Sequence, residues 1–463
     1  MSDIAHLIDK VPEDVLGICR RLREHGRRGW IVGGCVRDLI RDKPAKDWDV
    51  ATDARPEEVI RFFRKVVPTG LQHGTVTVVL RGAHYEVTTL RGDGEYSDGR
   101  RPDKVEFVDD IVADLSRRDF TVNAIALDPV DGHIIDPFGG RTDLATGVVR
   151  AVGDPRERFA EDGLRVLRAA RFAATLGFVI DPDTERAMGE ERSHGTFRRV
   201  SAERVRDEWL KSMRALRPSV AFEIMRRTGI LGLICPELLE SVGCEQNKWH
   251  VFDVWNHAMA CLDACEPEPI LRIAALLHDI AKPRTRAFSD KTEDYTFYDH
   301  EKVGGVMCEE ILTRLRFSNE EREHITLLVK NHLICYDESW TDAAVRRWLR
   351  RVGKTLAPDL YRLAFADVSG KGRDATDEIA ALNRLQERAA RVQAEGTAFG
   401  PKDLAIRGSD LIRDLSLKPG PILGEILAVL VEFVTDEPTA NERTRLLAEA
   451  RRIVEERERD MGR

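Results

Sequence analysis

Seventeen residues constrain this chain more than any other stretch: they run from Gly33-Gly34-Cys35-Val36-Arg37-Asp38 to Lys46-Asp47-Trp48-Asp49. The apolar run Trp30, Ile31, Val32 precedes the glycines, and the alternation around Asp47 and Asp49 reads as a strand end. The predicted order is strand, turn, helix, strand. Side chains two apart on a strand share a face. Two carboxylates side by side repel unless a cation sits between them, so Asp47 and Asp49 point to a divalent metal site. Gly33 and Gly34 let backbone N–H groups approach phosphates closely, and Arg37 can fork onto their oxygens.

With 463 residues, 42% of them hydrophobic, the chain has room for about three or four domains with sizeable cores. No apolar run approaches the roughly 20 residues of a membrane span. Met1 to Lys10 lacks the charged-then-apolar pattern of a signal peptide, so a cytoplasmic protein with no membrane partner is expected. The eight cysteines are scattered without a C-x-x-C pair, and Cys261 with Cys265 reads as one face of a core helix; neither disulfides nor zinc is indicated. A net charge of -8 argues against non-specific nucleic-acid binding over the whole surface. Local basic faces remain: seven Lys or Arg against three acids between Arg198 and Arg217, and Arg347, Arg350, Arg351 and Lys354 at helical spacing.

Pro12 suits the first turn of a helix running to about residue 25, with Val15, Leu16, Ile18 and Leu22 as its apolar side. Thr75 to Arg81 and Tyr85 to Leu90 read as a hairpin beside the acid-bearing strand. Glu86 would then be a third carboxylate, completing the ligand set for two metal ions. Residues 91 to 103, rich in Gly, Asp and Pro, read as a mobile loop. Beyond it, Arg118 offers a bidentate donor to a triphosphate and Asn123 can hydrogen-bond a sugar hydroxyl or phosphate.

From about residue 151 the chain reads as helical. Asp162, Arg165, Arg168 and Arg171 recur every three residues, so a single helix would align one acid and three arginines, with Leu164, Leu167 and Phe172 packing its other side. Cytosine and adenine each present an amino donor next to a ring-nitrogen acceptor, while guanine and uracil present the reverse. Asp162 accepting from the amino group and Arg165 donating to the ring nitrogen would tell them apart, with Arg168 and Arg171 facing phosphates or stiffening the pair.

Four motifs occur in order: G-G-x-V-R-D with D-x-D, then R-R-D-F-T-x-N-A at Arg117 to Ala124, then E-D-x-x-R with R-A-x-R-F at Glu161 to Phe172, then Ser201-Ala202-Glu203-Arg204-Val205-Arg206. Together they resemble the tRNA CCA-adding enzyme and bacterial poly(A) polymerase family of nucleotidyltransferases. Asp42 stands where that family's loop more often has glycine. The resemblance implies a multidomain fold: an α+β, DNA polymerase β-like head at residues 1–150 and an all-α neck at 151–240 in which Glu203-Arg204 supports the helix carrying Asp162. It also places an acid in the Glu86 strand. Farther on, His257, the pair His278-Asp279 and Asp367 resemble the H…HD…D ligand set of HD-domain phosphohydrolases, with His300 and His332 as ligands for a second metal. These imply an HD-type helical body at 241–375 and a helical tail at 376–463 that holds the far end of a tRNA acceptor arm.

The expected activity is template-independent addition of CCA to the 3′ end of tRNA from CTP and ATP. Asp47, Asp49 and Glu86 would hold Mg²⁺, Gly33, Gly34, Arg37, Arg118 and Asn123 would bind the nucleotide, and Asp162 and Arg165 would select the base. A transition metal is expected in the HD body, and no protein partner. The alternatives are a poly(A) polymerase, an enzyme adding only CC or only A, and an HD phosphohydrolase whose nucleotidyltransferase-like part merely binds RNA.

Overall fold

Helix α1 (Ser2–Ile8), absent from the sequence reading, precedes α2 (Glu13–Glu24), which Pro12 starts as expected. Val15, Ile18, Cys19 and Leu22 are the buried stripe of α2, at the spacing of one helix face. It packs on β1 (Gly29–Val32), whose four residues are all buried, as befits a strand covered on both sides. The computed structural model describes residues 2–45, 47–71, 74–92, 106–394 and 400–461. They form two compact units, Met1–Leu239 with Arg314–Phe317, and Glu240–Thr313 with Ser318–Arg463.

In the first unit, Gly33 (φ +79°) turns the chain from β1 into α3 (Gly34–Ile40). Asp42 adopts φ +55°, the left-handed conformation that aspartate tolerates better than most residues, so the loop keeps a glycine-like bend without glycine. Then come β2 (Asp49–Thr52), α4 (Pro56–Phe62), β3 (Val66–Gly70), β4 (Thr75–Leu80) and β5 (Ala83–Thr89). The β4–β5 hairpin is the one expected; Arg81 (φ +49°) and Gly82 (φ +86°) make the two-residue turn that matches strand twist. The anticipated loop at 91–103 lies mostly outside the described residues. After it follow α5 (Ile111–Ser116), β6 (Ala126–Asp128), β7 (His133–Ile135), α6 (Gly140–Thr146), α7 (Pro155–Glu161) and α8 (Leu164–Leu176), and the rest of the unit is mainly helical.

The strands form one mixed sheet in the order β3-β4-β5-β2-β1-β6-β7. β2 and β5 run parallel with Asp49 directly opposite Glu86. Trp30, Val32, Ala51, Leu90, Leu115, Ala124 and Ala126 form one continuous core.

One expectation fails. Residues 161–172 are not one helix: α7 ends at Glu161, Asp162 has extended backbone (φ −145°, ψ 108°), and α8 starts after Gly163. Gly163 has an ordinary helical φ of −59°. A Cβ there would lie 2.6 Å from the Phe197 backbone nitrogen, so the absent side chain is what lets the helix start pack against that backbone.

The second unit is built of helices around two small clusters of side chains. Helices Val254–Ala264, Pro269–Leu277, His300–Arg314, Asn319–Asn331 and Ala357–Ser369 surround a histidine-rich centre. Leu411, Ile426, Leu430, Val434, Leu446 and Ala450 give helices Gly408–Leu415, Pro421–Asp436 and Arg443–Met461 a core of their own. Arg346 donates to the Thr435 carbonyl at 3.0 Å, Arg347 pairs with Asp436 at 2.7 Å, and Arg350 pairs with Glu432. Arg347 and Arg350 of the basic row are therefore engaged in holding helix Asp342–Val352 to helix Pro421–Asp436, an ordinary structural use. Among the described residues no helix is long and apolar enough to cross a membrane.

Gly163→Ala is expected to destabilise the first unit by about 1–3 kcal/mol, the usual cost of overpacking against backbone. A lower urea midpoint for that unit's transition is the measurement; an unchanged midpoint would mean the Phe197 segment yields freely.

Candidate active site

A cleft of about 520 Å³ opens on the sheet face and is lined by Gly33, Gly34, Arg37, Asp49, Glu86, Arg118, Asn123, Asp162, Arg165 and Arg168 among others. Ten of the twelve nucleotide-site residues expected from sequence are thus brought together. Asp49 and Glu86 are neighbours across two parallel strands. Burial by the cleft walls raises the Asp49 pKa, the charges of Glu86 and Asp47 raise it further, and Arg118 opposes them. That repulsion is what a divalent cation would relieve, so the donor set fits one. Asp47 stands two residues before Asp49 with an exposed side chain, outside the strand and outside the cleft lining.

Gly33 explains itself in this geometry. A Cβ on it would lie 3.1 Å from Arg118 Nη1 and 3.8 Å from Asp49 Oδ2, so glycine keeps open the space where a cation and a carboxylate converge on backbone. Arg118 is held from behind: its Nη2 donates to Asp114 Oδ2 at 3.2 Å. Asp114 is buried, which by itself would raise its pKa, but Arg117 and Arg118 keep it below the usual carboxylate value. The sequence reading passed over Asp114, although its spacing of three and four residues from two arginines was a signal.

Arg37 and Asn123 are engaged with each other. Arg37 Nη1 donates to Asn123 Oδ1 at 3.0 Å, while its Nε and Nη2 donate to Asp38 at 2.9 and 3.0 Å. Asn123 Nδ2 donates to Asp119 Oδ1 at 3.1 Å, and Asp119 Oδ2 accepts from Arg168 Nε at 2.8 Å and Nη2 at 2.5 Å. The chain Asp38–Arg37–Asn123–Asp119–Arg168 therefore links α3 to α8. Phe172 receives three guanidinium groups, with Arg171 at 3.9 Å, Arg168 at 5.4 Å and Arg37 at 5.6 Å from the ring centroid.

The acid and the arginines are not on one continuous helix, because the backbone is extended at Asp162, yet Asp162, Arg165 and Arg168 still line the same cleft. Asp162 Oδ2 accepts from Arg204 Nη2 at 2.7 Å, and its Oδ1 accepts from the Leu164 backbone N–H at 3.0 Å. Arg204 thus supports the site as expected of its motif. Arg165 is tied to Glu161, to the Arg158 carbonyl at 2.9 Å and to the Arg117 carbonyl at 3.0 Å. Arg171 pairs with buried Glu208 at 2.5 Å and does not line the cleft. In the basic segment 198–217, Arg198, Arg204, Arg206 and Lys211 each pair with an acid, and Arg199, Arg214 and Arg217 have exposed side chains.

In the second unit all six expected ligands meet. His257 Nε2 lies 3.3 Å from His278 Nε2, 3.1 Å from Asp367 Oδ1 and 3.4 Å from Asp279 Oδ2. His300 Nε2 lies 3.3 Å from His332 Nε2 and 3.4 Å from Asp279 Oδ1. Each Nδ1 faces a backbone carbonyl: Gly370 at 3.1 Å for His257, Ala275 at 2.8 Å for His278, Phe297 at 2.7 Å for His300 and Val329 at 2.7 Å for His332. A carbonyl only accepts, so every Nδ1 carries the proton and every Nε2 lone pair turns inward. Cys261, read from sequence as core, has its sulfur 3.4 Å from His257 Nε2 and within the same group.

Asp119 is buried among the neck's hydrogen bonds. Burial would raise its pKa, but Arg168 and the hydrogen bond from Asn123 hold it down at about 2. A depressed carboxylate stabilises the fold above its unfolded pKa and loses that contribution as pH falls through the folded value. Asp119→Asn should cost about 2 kcal/mol at pH 7, with the gap to the parent closing between about pH 4 and 2 in urea titrations. A pH-independent gap would remove the charge from the explanation.

Residues 29–150 match the "Poly A polymerase head domain", 177–241 the "Probable RNA and SrmB- binding site of polymerase A", and 296–450 the "tRNA nucleotidyltransferase domain 2 putative". The CCA-adding enzyme of Lactiplantibacillus plantarum is 31% identical over 95% of this chain and 95% of its own length. That of Lactococcus lactis subsp. cremoris is 32% identical over 97% and 99%. The crystal structure of the Bacillus stearothermophilus CCA-adding enzyme with CTP superposes with a TM-score of 0.73 at 28% identity, covering 96% of this chain and 98% of that one. With a polymerase β-like head, a helical body and relatives of full length, the chain belongs to the CCA-adding enzyme family of nucleotidyltransferases.

Proposed function

We propose that this protein adds CCA to the 3′ end of tRNA without a template, using CTP and ATP. One observation carries the reading: the carboxylate pair Asp49 and Glu86, the arginines of the phosphate cradle and the acid-arginine pair of the neck line a single cleft, in a chain whose full-length relatives bear the name CCA-adding enzyme. Head, neck, HD-type body and tail are taken as residues 1–150, 151–240, 241–375 and 376–463. The free, mostly buried cysteines suit a reducing compartment, and we read it as the cytoplasm.

Asp49 and Glu86, with Asp47, are the residues to hold Mg²⁺, which when bound lowers the pKa of the attacking 3′-hydroxyl and offsets charge on the departing pyrophosphate. Arg118, steadied by Asp114, donates to triphosphate oxygens beside Gly33 and Gly34. Arg37 acts beside it, and Asn123 orients Arg37 through the bond they share. Each Asp162 oxygen has accepted one hydrogen bond and keeps a second lone pair for the amino group of cytosine or adenine. Arg165 has five N–H donors, of which Glu161 and two carbonyls take three, so donors remain for the ring nitrogen. Arg168 sets the position of α8 through Asp119, and Arg171 through Glu208. Arg199, Arg214 and Arg217 are candidates for the RNA backbone.

A second reading concerns the histidine centre. Four imidazoles with their Nδ1 protons fixed on carbonyls and their Nε2 atoms turned toward Asp279 and Asp367 fit a transition metal better than Mg²⁺. We read it as an HD-type phosphohydrolase centre, independent of nucleotide addition, whose bound metal would activate water.

Incubating the protein with tRNAs ending before CCA, after C and after CC, with each nucleotide separately, should give addition of C, C and A respectively. Runs of A would indicate a poly(A) polymerase, and a missing step a partial enzyme. Asp49→Ala should abolish addition with tRNA affinity within about twofold of the parent, since a lost metal acts on chemistry. For the second centre, His278→Ala should lose bound Ni²⁺, Co²⁺ or Mn²⁺ by metal analysis together with any phosphatase activity, while addition persists. If addition fell with metal content, the two centres would not be independent.

A further inference from the structure

The nucleotide cleft has polar side chains on its floor beyond those already given a task. Thr88 lies two residues after Glu86 on β5 and shares its face of the sheet. Its register partners are Ala51 on β2 and Thr75 on β4, and all three line the cleft. The Thr75 and Thr88 hydroxyls are hydrogen-bonded to each other at 3.0 Å. That bond uses one of their hydrogens and one lone pair, so the pair keeps a donor and several acceptor sites for a ligand. Other threonines of the sheet spend their hydroxyls inside the fold. Thr52 donates to the Arg28 carbonyl at 2.6 Å and Thr89 to the Ala54 carbonyl at 2.8 Å, while Thr77 is bonded to Thr69 at 2.8 Å and does not line the cleft. Ala51 adds only a methyl group beside Thr88, so nothing bulky on β2 covers the pair.

Strand order gives this pair its place in the reaction. Neighbouring strands run β1, β2, β5, β4 across the sheet. Gly33 and Gly34, with Arg118 against them, stand just past the end of β1; Asp49 and Glu86 follow on β2 and β5; Thr88 and Thr75 come last, on β5 and β4. Nucleotidyl transfer joins the 3′-oxygen of the accepting strand to the α-phosphorus as the bond from that phosphorus to pyrophosphate breaks, the hydroxyl proton passing to water. The attacking and leaving oxygens lie roughly in line. With pyrophosphate drawn to the glycines and arginines on one side of the acids, the accepting ribose enters from the other side, where the hydroxyls stand. We propose that Thr88, backed by Thr75, hydrogen-bonds the 2′-hydroxyl of the tRNA's terminal ribose, which positions the adjacent 3′-oxygen and selects an RNA end over a DNA end. This rests on the reading of the cleft as the site of CCA addition. Same-face neighbours along a strand are about 7 Å apart, so a 3′-oxygen held beside Glu86 leaves the 2′-hydroxyl within reach of Thr88. A 2′-hydroxyl both donates and accepts, and the threonine pair offers both in return.

The test uses the full-length protein and two tRNAs lacking CCA, one ending in ribose and one in 2′-deoxyribose, with addition of C followed in a single turnover. The parent should add to the deoxyribose end about tenfold more slowly, the scale of one lost hydrogen bond that leaves a polar group unpaired. Thr88→Val should slow addition to the ribose end by as much and to the deoxyribose end hardly further, whereas a residue that only shaped the sheet would slow both alike. Thr88→Ser keeps the hydroxyl and should keep the preference. Replacing CTP by dCTP should cost the parent and Thr88→Val the same; a cost confined to the parent would give the pair to the incoming nucleotide and overturn the proposal. A readout independent of catalysis is disulfide capture without Mg²⁺, by thiol exchange with a tRNA carrying a 2′-thiol mixed disulfide on its terminal ribose. Thr88→Cys should be captured, and capture no faster than that of the parent, whose Cys335 is exposed, counts against the contact. Equal rates on both ends in the parent remove the hydroxyl pair from recognition and leave CCA addition standing. A parent that adds to neither end defeats the reading of the cleft itself, and the role of the pair with it.

Discussion

The nucleotide cleft depends on one buried carboxylate. Asp119 accepts from Asn123 on one oxygen and from Arg168 on the other, and so joins the segment after α5 to helix α8 of the neck. Without acids of their own, Arg37, Arg168 and Arg171 would be three cations repelling one another around the Phe172 ring. Each has its own acid instead: Asp38, Asp119 and Glu208. A low-dielectric interior makes such pairs strong when complete and costly when broken, which favours one arrangement over many.

The same logic governs the head's acids with the opposite sign. Asp49 and Glu86 are placed side by side by backbone register, and no neighbouring arginine fully offsets them. A fold that keeps like charges together against their repulsion stores a demand for a cation. The histidine centre makes its demand differently. Its imidazoles are pinned by carbonyls at helix ends and loops, so the lone pairs are oriented before any metal arrives. The first site offers carboxylate oxygens, the second imidazole nitrogens beside carboxylates.

How much of this was legible in the sequence follows from the range of each interaction. The strand-turn-helix-strand of the head, the Thr75–Thr89 hairpin and the acid opposite Asp49 are set by local periodicity and turn chemistry, and all were readable. Family motifs singled out the candidate nucleotide residues and six candidate ligands of the second centre, and the fold brings ten of the first set into one cleft and all six of the second into contact. The spacing of Asp162, Arg165, Arg168 and Arg171 misled, since a three-residue period suggests one continuous helix. The break falls at Asp162, whose backbone is extended, and Gly163 after it leaves room for the Phe197 backbone, thirty-odd positions along the chain.

The sequence by itself determined which residue types are available and where the chain turns, because glycine conformation, strand alternation and helix caps act over a few residues. Only the tertiary structure decided which charge meets which. Arg204 rather than Arg165 takes Asp162, Arg37 spends a donor on Asn123, and Arg347 and Arg350 join two helices. A guanidinium reaches several ångströms in any direction and pairs with whichever carboxylate packing brings near. Sequence spacing does not encode that outcome; the packed fold does.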